Sequence, residues 1–299
     1  LGKDALAKKL MSDIEKRISY EIMLEYGLTS RIGRTLEKSG CSCMSFNEEE
    51  LIRIAENVQE RVTNEIGLLP HTGQKKYEQM VAGYVNIMRQ NGAFDDAVFY
   101  TYLKENGNTY LLSNDRIRWM PGRQSGRNTP RFIFRQNIRG GKKNFNFDTV
   151  ADRKYTDWIS SCCDEVMIEP STFTQISQII LEELVKSGLV VTLELSPDYT
   201  VYALNKNKVF ITDKVLQLKC NTCGISYAVA EENRDLWENA PCTRNVCSGS
   251  FEPDDSDELD YYGKLFTSGD IVRINAKEHT GLLERDDREA LETDFKRGK

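Results

Sequence analysis

The strongest constraint on the fold of this chain is a set of four cysteines in its last third. Cys220 and Cys223 form a Cys-x2-Cys pair with Gly224 directly behind it, and Cys242 and Cys247 form a second pair after eighteen intervening residues. Zinc requires four ligands in a tetrahedron with bonds of about 2.3 Å to sulfur, and tight turns on two adjacent hairpins can supply them. Because four thiolates leave no position for a catalytic water, the spacing predicts a structural Zn²⁺ in a small ribbon.

The sequence leaves three alternatives to a zinc site for these cysteines. A redox pair at Cys220 and Cys223 requires a strand-to-helix setting, whereas the residues after Gly224, ISYAV, have the composition of a strand. An iron–sulfur cluster also takes four cysteines, and buried free thiols are the third alternative. The remaining cysteines have no usual ligand spacing and are expected to be small apolar fillers. They are Cys41, Cys43, Cys162 and Cys163.

Composition places the chain among globular proteins. It has 299 residues, of which 39% are hydrophobic and 29% charged, enough for two or three domains with their own cores. No apolar run reaches the length of a membrane span, and the first thirty residues lack the apolar centre of a signal peptide. We therefore expect a cytoplasmic protein without a membrane partner, in a reducing compartment.

Charge is segregated along the chain, although the net charge is −6. Residues 106–147 carry nine basic side chains against the single acid Asp115, and residues 252–260 carry six acids and no base. Aromatic residues alternate with the arginines, namely Trp119, Phe132, Phe134, Phe145 and Phe147. Guanidinium groups for phosphates and flat rings for bases are typical of sequence-tolerant DNA binding, so this segment predicts a nucleic-acid surface. A solvated basic loop over an ordinary core is the alternative. The candidate contact residues are Arg116, Arg118, Trp119, Arg123, Arg127, Arg131, Arg135, Arg139, Lys142 and Lys143.

The first third of the chain has helical periodicity. Asn47, followed three residues later by Glu50, predicts a capping box that begins one helix, and residues 74–89 predict another. At the N-terminus, apolar residues recur every four positions and predict a helix face that packs on the core. These residues are Leu6, Leu10, Ile14, Ile18, Ile22 and Tyr26.

Residues 151–213 have a different pattern, with two helices followed by short strands. The segments LVVTLEL, TVYAL and VFIT are strand-like and are separated by the turn sequences SPDY and NKNK. Helices followed by a small antiparallel hairpin suggest a winged-helix-like domain. Such a domain can lay a helix in a DNA groove or serve only as a packing module.

The chain lacks the motifs of a complete enzyme. It has no phosphate-binding loop, nucleophile elbow or His-Glu-x-x-His zinc motif, and its two histidines are His71 and His279. We therefore expect no ATP hydrolysis by the chain on its own.

Two short segments resemble superfamily 2 DEAD/DEAH-box helicases. The segment AKEHTGLLERDDREALETDFKRGK is similar to the start of the second RecA-like motor domain, with His279, Gly281 and Arg288 at motif-like positions. The segment EYGLTSRIGRTLEKSG is similar to the region after the first motor domain in large bacterial helicases of phage defence and DNA processing. The motifs that bind ATP and Mg²⁺ are absent from the chain, and the resemblance places them in motor domains elsewhere in a parent protein.

The resemblance implies a nucleic-acid-binding accessory region of an ATP-dependent DNA helicase, with DNA and the missing motor domains of the same polypeptide as partners. A stand-alone zinc-ribbon DNA-binding protein and a protein-interaction adaptor are the alternatives. We expect an α+β fold that ends in the truncated start of a RecA-like domain. The predicted units are a helical segment at 1–68, a helical/β unit with a basic loop at 69–150, a winged-helix-like domain at 151–213, a zinc ribbon at 214–255 and the RecA-like start at 262–299.

Overall fold

The computed structural model describes residues 3–28, 35–67, 72–108, 129–140, 146–163, 168–244, 246–254 and 261–268. These ranges form a mixed α/β structure. The helices are α1 (Lys3–Tyr26), α2 (Glu48–Glu65), α3 (Gln74–Gln90), α4 (Tyr100–Lys104), α5 (Arg153–Cys162), α6 (Pro170–Lys186), α7 (Arg234–Trp237) and α8 (Tyr261–Thr267). The strands are β1 (Cys43–Phe46), β2 (Ile133–Gln136), β3 (Val190–Ser196), β4 (Tyr199–Leu204), β5 (Val209–Thr212), β6 (Val215–Cys220), β7 (Ser226–Ala230) and β8 (Phe251–Pro253).

Helices α2, α3, α5 and α6 pack on one another through apolar faces. The predicted start of α2 is confirmed, since the Asn47 side chain accepts a hydrogen bond from the Glu50 backbone N–H at 2.8 Å. The reciprocal half of the capping box is replaced by a tertiary contact. The Glu50 carboxylate binds Lys208 Nζ at 2.5 Å and so ties α2 to the chain segment between β4 and β5.

The central sheet has the order β2-β4-β3, and both of its pairings are antiparallel. The strand-like segment VFIT forms β5, which does not extend the β3–β4 hairpin but pairs with β1. A short 3-10 turn at Lys206–Lys208 redirects the chain after β4. The Asn205 side chain stabilises this turn by accepting a hydrogen bond from the Asn207 backbone N–H at 3.1 Å.

One buried apolar cluster joins the helices, the central sheet and the cysteine-bearing strands. Its members come from the first four predicted units, as Met23, Tyr84, Trp158 and Trp237 illustrate. The predicted unit boundaries therefore stay predictions, while the buried side chains of these segments form a continuous core.

The predicted packing of the N-terminal helix is wrong for most of its length. Leu6, Leu10 and Ile18 are 62%, 53% and 55% exposed, because no described element covers this face of α1. The helix joins the core only near its end, where Met23 and Tyr26 are 5% exposed. The four-residue apolar period identified the helix but could not show which part of it is buried.

Candidate metal centre

The first two cysteines lie at the turn that joins β6 to β7. Cys220 is the last residue of β6, and its backbone N–H donates to the carbonyl of Ile225 at 2.9 Å. Gly224 has a φ of +69°, a conformation that favours glycine, and its N–H donates to the Cys220 carbonyl at 3.0 Å. The turn is therefore closed by backbone bonds, and both thiols are held on one side of the hairpin.

The other two cysteines lie in a loop that is closed by antiparallel backbone contacts. The Cys242 N–H donates to the Gly249 carbonyl at 2.9 Å, and the Phe251 N–H donates to the Ala240 carbonyl at 2.9 Å. Strand β8, which begins at Phe251, pairs with β6 with Cys220 opposite Phe251. This pairing brings the second loop against the first turn, although the two are far apart in sequence.

The four thiols meet at one point. Cys220, Cys223, Cys242 and Cys247 place their Sγ atoms within 4.8 Å of one another, so this group could hold a metal ion. Two of the separations, from Cys220 to Cys247 and from Cys223 to Cys242, are 3.7 Å. A tetrahedron of sulfurs with metal bonds of about 2.3 Å has an edge of about 3.8 Å. These two separations match this edge, and the group as a whole is compact enough to hold a metal ion.

The polypeptide around the thiols favours negative charge on part of the group. The backbone N–H of Cys223 lowers the pKa of Cys220 to about 6, and the backbone N–H of Ile225 lowers the pKa of Cys223. Burial has the opposite effect on Cys242 and raises its pKa to about 12. Four neighbouring thiolates repel one another, so full ionisation of the group requires a bound cation.

Gly249 packs directly against the turn that carries Cys220 and Cys223. A Cβ atom at this position would lie 2.6 Å from Cys220 Sγ and 2.6 Å from Thr222 Oγ1. The backbone of the second loop can therefore reach Cys220 only because residue 249 has no side chain. The cysteine spacing alone does not predict this role, and the available signal in the sequence is a glycine two residues after the last cysteine.

Aromatic side chains connect the four-thiol group to the helices. Tyr227 packs against Phe251 with ring centroids 5.4 Å apart and against Trp237 at 4.9 Å. Trp237 in turn packs against Trp158 of α5 at 5.9 Å. The Trp158 ring packs directly on Gly83 of α3, since a Cβ atom on residue 83 would lie only 1.9 Å from Trp158 Cε2. A continuous series of aromatic contacts thus packs the cysteine-bearing strands against α3 and α5.

The other cysteines lie outside this group. Cys43 and Cys162 are fully buried, as expected of small apolar fillers, and Cys41 and Cys163 are half buried. Within the described ranges, no second cluster of candidate metal ligands occurs.

The predicted nucleic-acid surface is only partly described. Arg135 and Arg139 are exposed and have no ion-pair partner among the described residues, whereas Arg131 Nε binds Asp148 at 3.0 Å. Phe132 and Phe147 are buried, so these two rings belong to the core and are not available to stack on bases. The remaining predicted residues lie outside the described ranges, namely Arg116, Arg118, Trp119, Arg123, Arg127, Lys142 and Lys143.

The helicase-like positions His279, Gly281 and Arg288 also lie outside the described residues. Comparisons of the chain with protein-family models, curated proteins and solved structures find no match. Among the described helices, none has both the length and the apolar composition needed to cross a bilayer. A function for this chain must therefore be inferred from its own residues and from the sequence resemblance.

Proposed function

We propose that this chain is a nucleic-acid-binding accessory region of an ATP-dependent DNA helicase, which holds a strand or duplex beside the motor domains of its parent protein. The observation that carries the proposal is the pair of exposed arginines, Arg135 and Arg139, at the end of β2 without carboxylate partners among the described residues. Unpaired guanidinium groups on one sheet edge can each neutralise a backbone phosphate. The helicase assignment itself rests on the sequence resemblance.

The topology supports a winged-helix interpretation of the central unit. Helix α3, strand β2, helices α5 and α6, and strands β3 and β4 follow in the chain order of a winged helix, with the short α4 between α3 and β2 and with sheet order β2-β4-β3. The proposed unit therefore begins well before residue 151, where the sequence predicted its start. The backbone N–H of Asn137, just after β2, donates at 2.8 Å to the carbonyl of Asp198 in the β3–β4 turn. The turn that would form the wing therefore lies beside the exposed arginines.

The position of α6 argues against its entry into a DNA groove. Helix α2 packs against α6, and Arg61 of α2 binds Glu182 at 2.9 Å and Glu183 at 3.0 Å. The face of α6 beside α2 is thus both covered and acidic. We infer that the wing and the end of β2, rather than this helix, contact the phosphate backbone.

The metal of the four-thiol group is proposed to be a structural Zn²⁺. Zinc suits a tetrahedral four-sulfur site, and a closed set of four protein ligands stabilises structure without taking part in catalysis. One zinc should copurify with each chain, and Cys223→Ser should abolish stoichiometric binding. Elemental analysis of freshly reduced protein that finds iron, or no metal, would contradict this assignment.

The nucleic-acid proposal is tested by titrating a labelled single-stranded oligonucleotide and a labelled duplex with the full chain over a salt series. The test variant is the double substitution Arg135→Ala and Arg139→Ala. Loss of two phosphate contacts should reduce the slope of log K against log salt by about 1.4 for single strands and about 1.8 for duplex. The control is Lys8→Ala with Lys9→Ala, two exposed cations on α1 that should leave the slope unchanged. Equal slopes for both double variants, or no binding by the wild type, would refute the proposal.

A protein-docking function is the second candidate, favoured by the exposed apolar face of α1. Leu10 and Met11 are 53% and 56% exposed, which is costly in water unless another protein surface covers them. Within the proposed parent protein, the occupant is the motor region of the same polypeptide. Coexpression of the chain with the rest of its polypeptide tests this, since Leu10→Glu should prevent their association and the control Lys9→Glu should not.

A further inference from the structure

A second feature of the structure is a polar cleft beside the four-thiol group. It has a volume of about 540 Å³ and lies between α3, α5 and the loop that carries Cys242 and Cys247. Its lining includes Gln90, Asn91, Arg153, Ser160 and Arg244. Ligand sites commonly have volumes of about 300–1,000 Å³, so the cleft has room for one nucleotide unit.

Two arginines from different parts of the fold line this cleft. Arg153 is the first residue of α5, and Arg244 lies between Cys242 and Cys247 in the loop. Both are exposed, and neither side chain has an ion-pair partner within the described ranges. Asp157 is the one carboxylate of the described lining, so the cations outnumber it. Two guanidinium groups without ion-pair partners in one cleft are suited to a phosphate group, which each can bind in a bidentate manner.

The wall behind the arginines is held in place by hydrogen bonds. Lys154 Nζ binds the buried carboxylate of Asp148 at 2.5 Å and Asn91 Oδ1 at 3.3 Å. Asn91 Nδ2 lies 3.3 Å from the hydroxyl of Tyr155. Gln90 lies at the edge of this network, and its amide has no hydrogen-bond partner among the described side chains. An unpaired amide can both donate to and accept from the edge of a base.

From these contacts we propose that the cleft binds one nucleotide of a nucleic-acid strand, with Arg153 and Arg244 holding its phosphate and Gln90 facing its base. This inference rests on the proposed nucleic-acid function and adds a specific site to it. The site is separate from the arginines at the end of β2 and links the helices to the metal-bearing loop. A free mononucleotide has the same chemistry, so the experiment distinguishes the two sources.

The experiment uses the full chain, with the zinc content of each sample measured first. Binding of a labelled fifteen-residue oligothymidylate is followed by fluorescence anisotropy for the wild type, Arg153→Ala and Arg244→Ala. Each substitution should weaken binding about tenfold at low salt, because a charge-assisted contact is lost. Each should also reduce the salt slope by about 0.7. The control is Arg53→Ala, an exposed arginine of α2 outside the cleft, which should bind like the wild type.

Each outcome supports or overturns the inference. Arg153→Ala and Arg244→Ala variants that bind as tightly as Arg53→Ala would overturn the cleft assignment and leave the proposed function intact. A wild-type chain that binds no oligonucleotide would overturn both. Thymidine 5′-monophosphate is the second probe, used as a competitor and alone. Binding of this mononucleotide without any binding of the oligonucleotide would make the cleft a free-nucleotide site and refute the strand assignment.

Discussion

Replacing Gly249 with alanine should weaken metal binding by the four-thiol group. The new Cβ would lie 2.6 Å from Cys220 Sγ, 2.6 Å from Thr222 Oγ1 and 2.7 Å from Thr222 Cβ. Favourable contacts between such atoms lie at about 3.5–4.0 Å, so the loop and the first turn must separate by about 1 Å. Metal–ligand distances tolerate changes of only about 0.2 Å, so the displaced thiolate cannot keep its bond without further distortion.

The magnitude follows from the cost of overpacking a close contact. An added methyl group in a well-packed site costs about 1–3 kcal/mol. If the added methyl group destabilises the metal-bound state by this amount, the apparent zinc dissociation constant should rise about 5-fold to 150-fold. We expect the rise in the zinc dissociation constant to lie near the upper end of this range. Two of the three close contacts are to Thr222, so the added methyl group would push on the Cys220–Cys223 turn itself.

The assay is competition for Zn²⁺ between the reduced chain and a chromophoric chelator at fixed pH. Gly73→Ala is the matched control, because a Cβ at Gly73, which precedes α3, would meet no atom within 4 Å and the residue has a φ of −75°. The Gly73→Ala chain should bind zinc like the wild type. A Gly249→Ala chain whose zinc affinity is within twofold of the wild type would refute the steric argument.

Two further predictions concern buried polar groups. Arg89→Met should lower the free energy of unfolding by about 3–5 kcal/mol in urea, because it leaves Glu37, which binds Arg89 at 2.6 Å, buried without its partner. The control Arg234→Met, which removes an exposed pair with Glu238, should cost no more than about 1 kcal/mol, and equal losses would contradict the argument. Burial raises the pKa of the Cys43 thiol from its ordinary 9.0 to about 12. The folded thiol therefore keeps its proton between about pH 9 and pH 12 while the unfolded thiol loses it, so the free energy of unfolding should fall with rising pH in this window. Cys43→Ala should reduce that fall by up to about 1.4 kcal/mol per pH unit, and an unchanged slope would show that Cys43 is not the group responsible.

The cysteine spacing predicted the candidate metal centre because tight turns are local features of the sequence. Cys220 and Cys223 are separated by two residues, and Gly224 supplies the left-handed conformation that the turn needs. The spacing could not predict how the second loop is placed, since that depends on the pairing of β8 with β6. Long-range pairing and aromatic packing, such as that of Trp237 on Trp158, leave no periodic signal in the sequence.

For the helices, too, local contacts could be predicted from the sequence and long-range contacts could not. The start of α2 was predicted because Asn47 caps its own helix, a contact across three residues. The exposure of Leu6 and Leu10 on α1 was not predicted, because burial depends on which other elements cover the helix. The partner of β5 was not predicted either, because β4, its neighbour in sequence, is paired on both edges by β2 and β3, and β5 pairs with the distant β1.

The four-thiol group and the cleft share the second cysteine loop, which carries Cys242 and Cys247. The backbone N–H of Arg244 lies 3.5 Å from Cys242 Sγ, so the metal-bound thiolate would fix the residue whose guanidinium faces the cleft. Arg153 is fixed independently, because it belongs to α5, which is anchored by Trp158 in the core. The distance between the two arginines is therefore set by the metal site on one side and by the helical core on the other. Coupling between two sites is reciprocal, so if the metal and the strand bind as proposed, any factor by which the metal strengthens binding of the strand must equal the factor by which the strand strengthens binding of the metal.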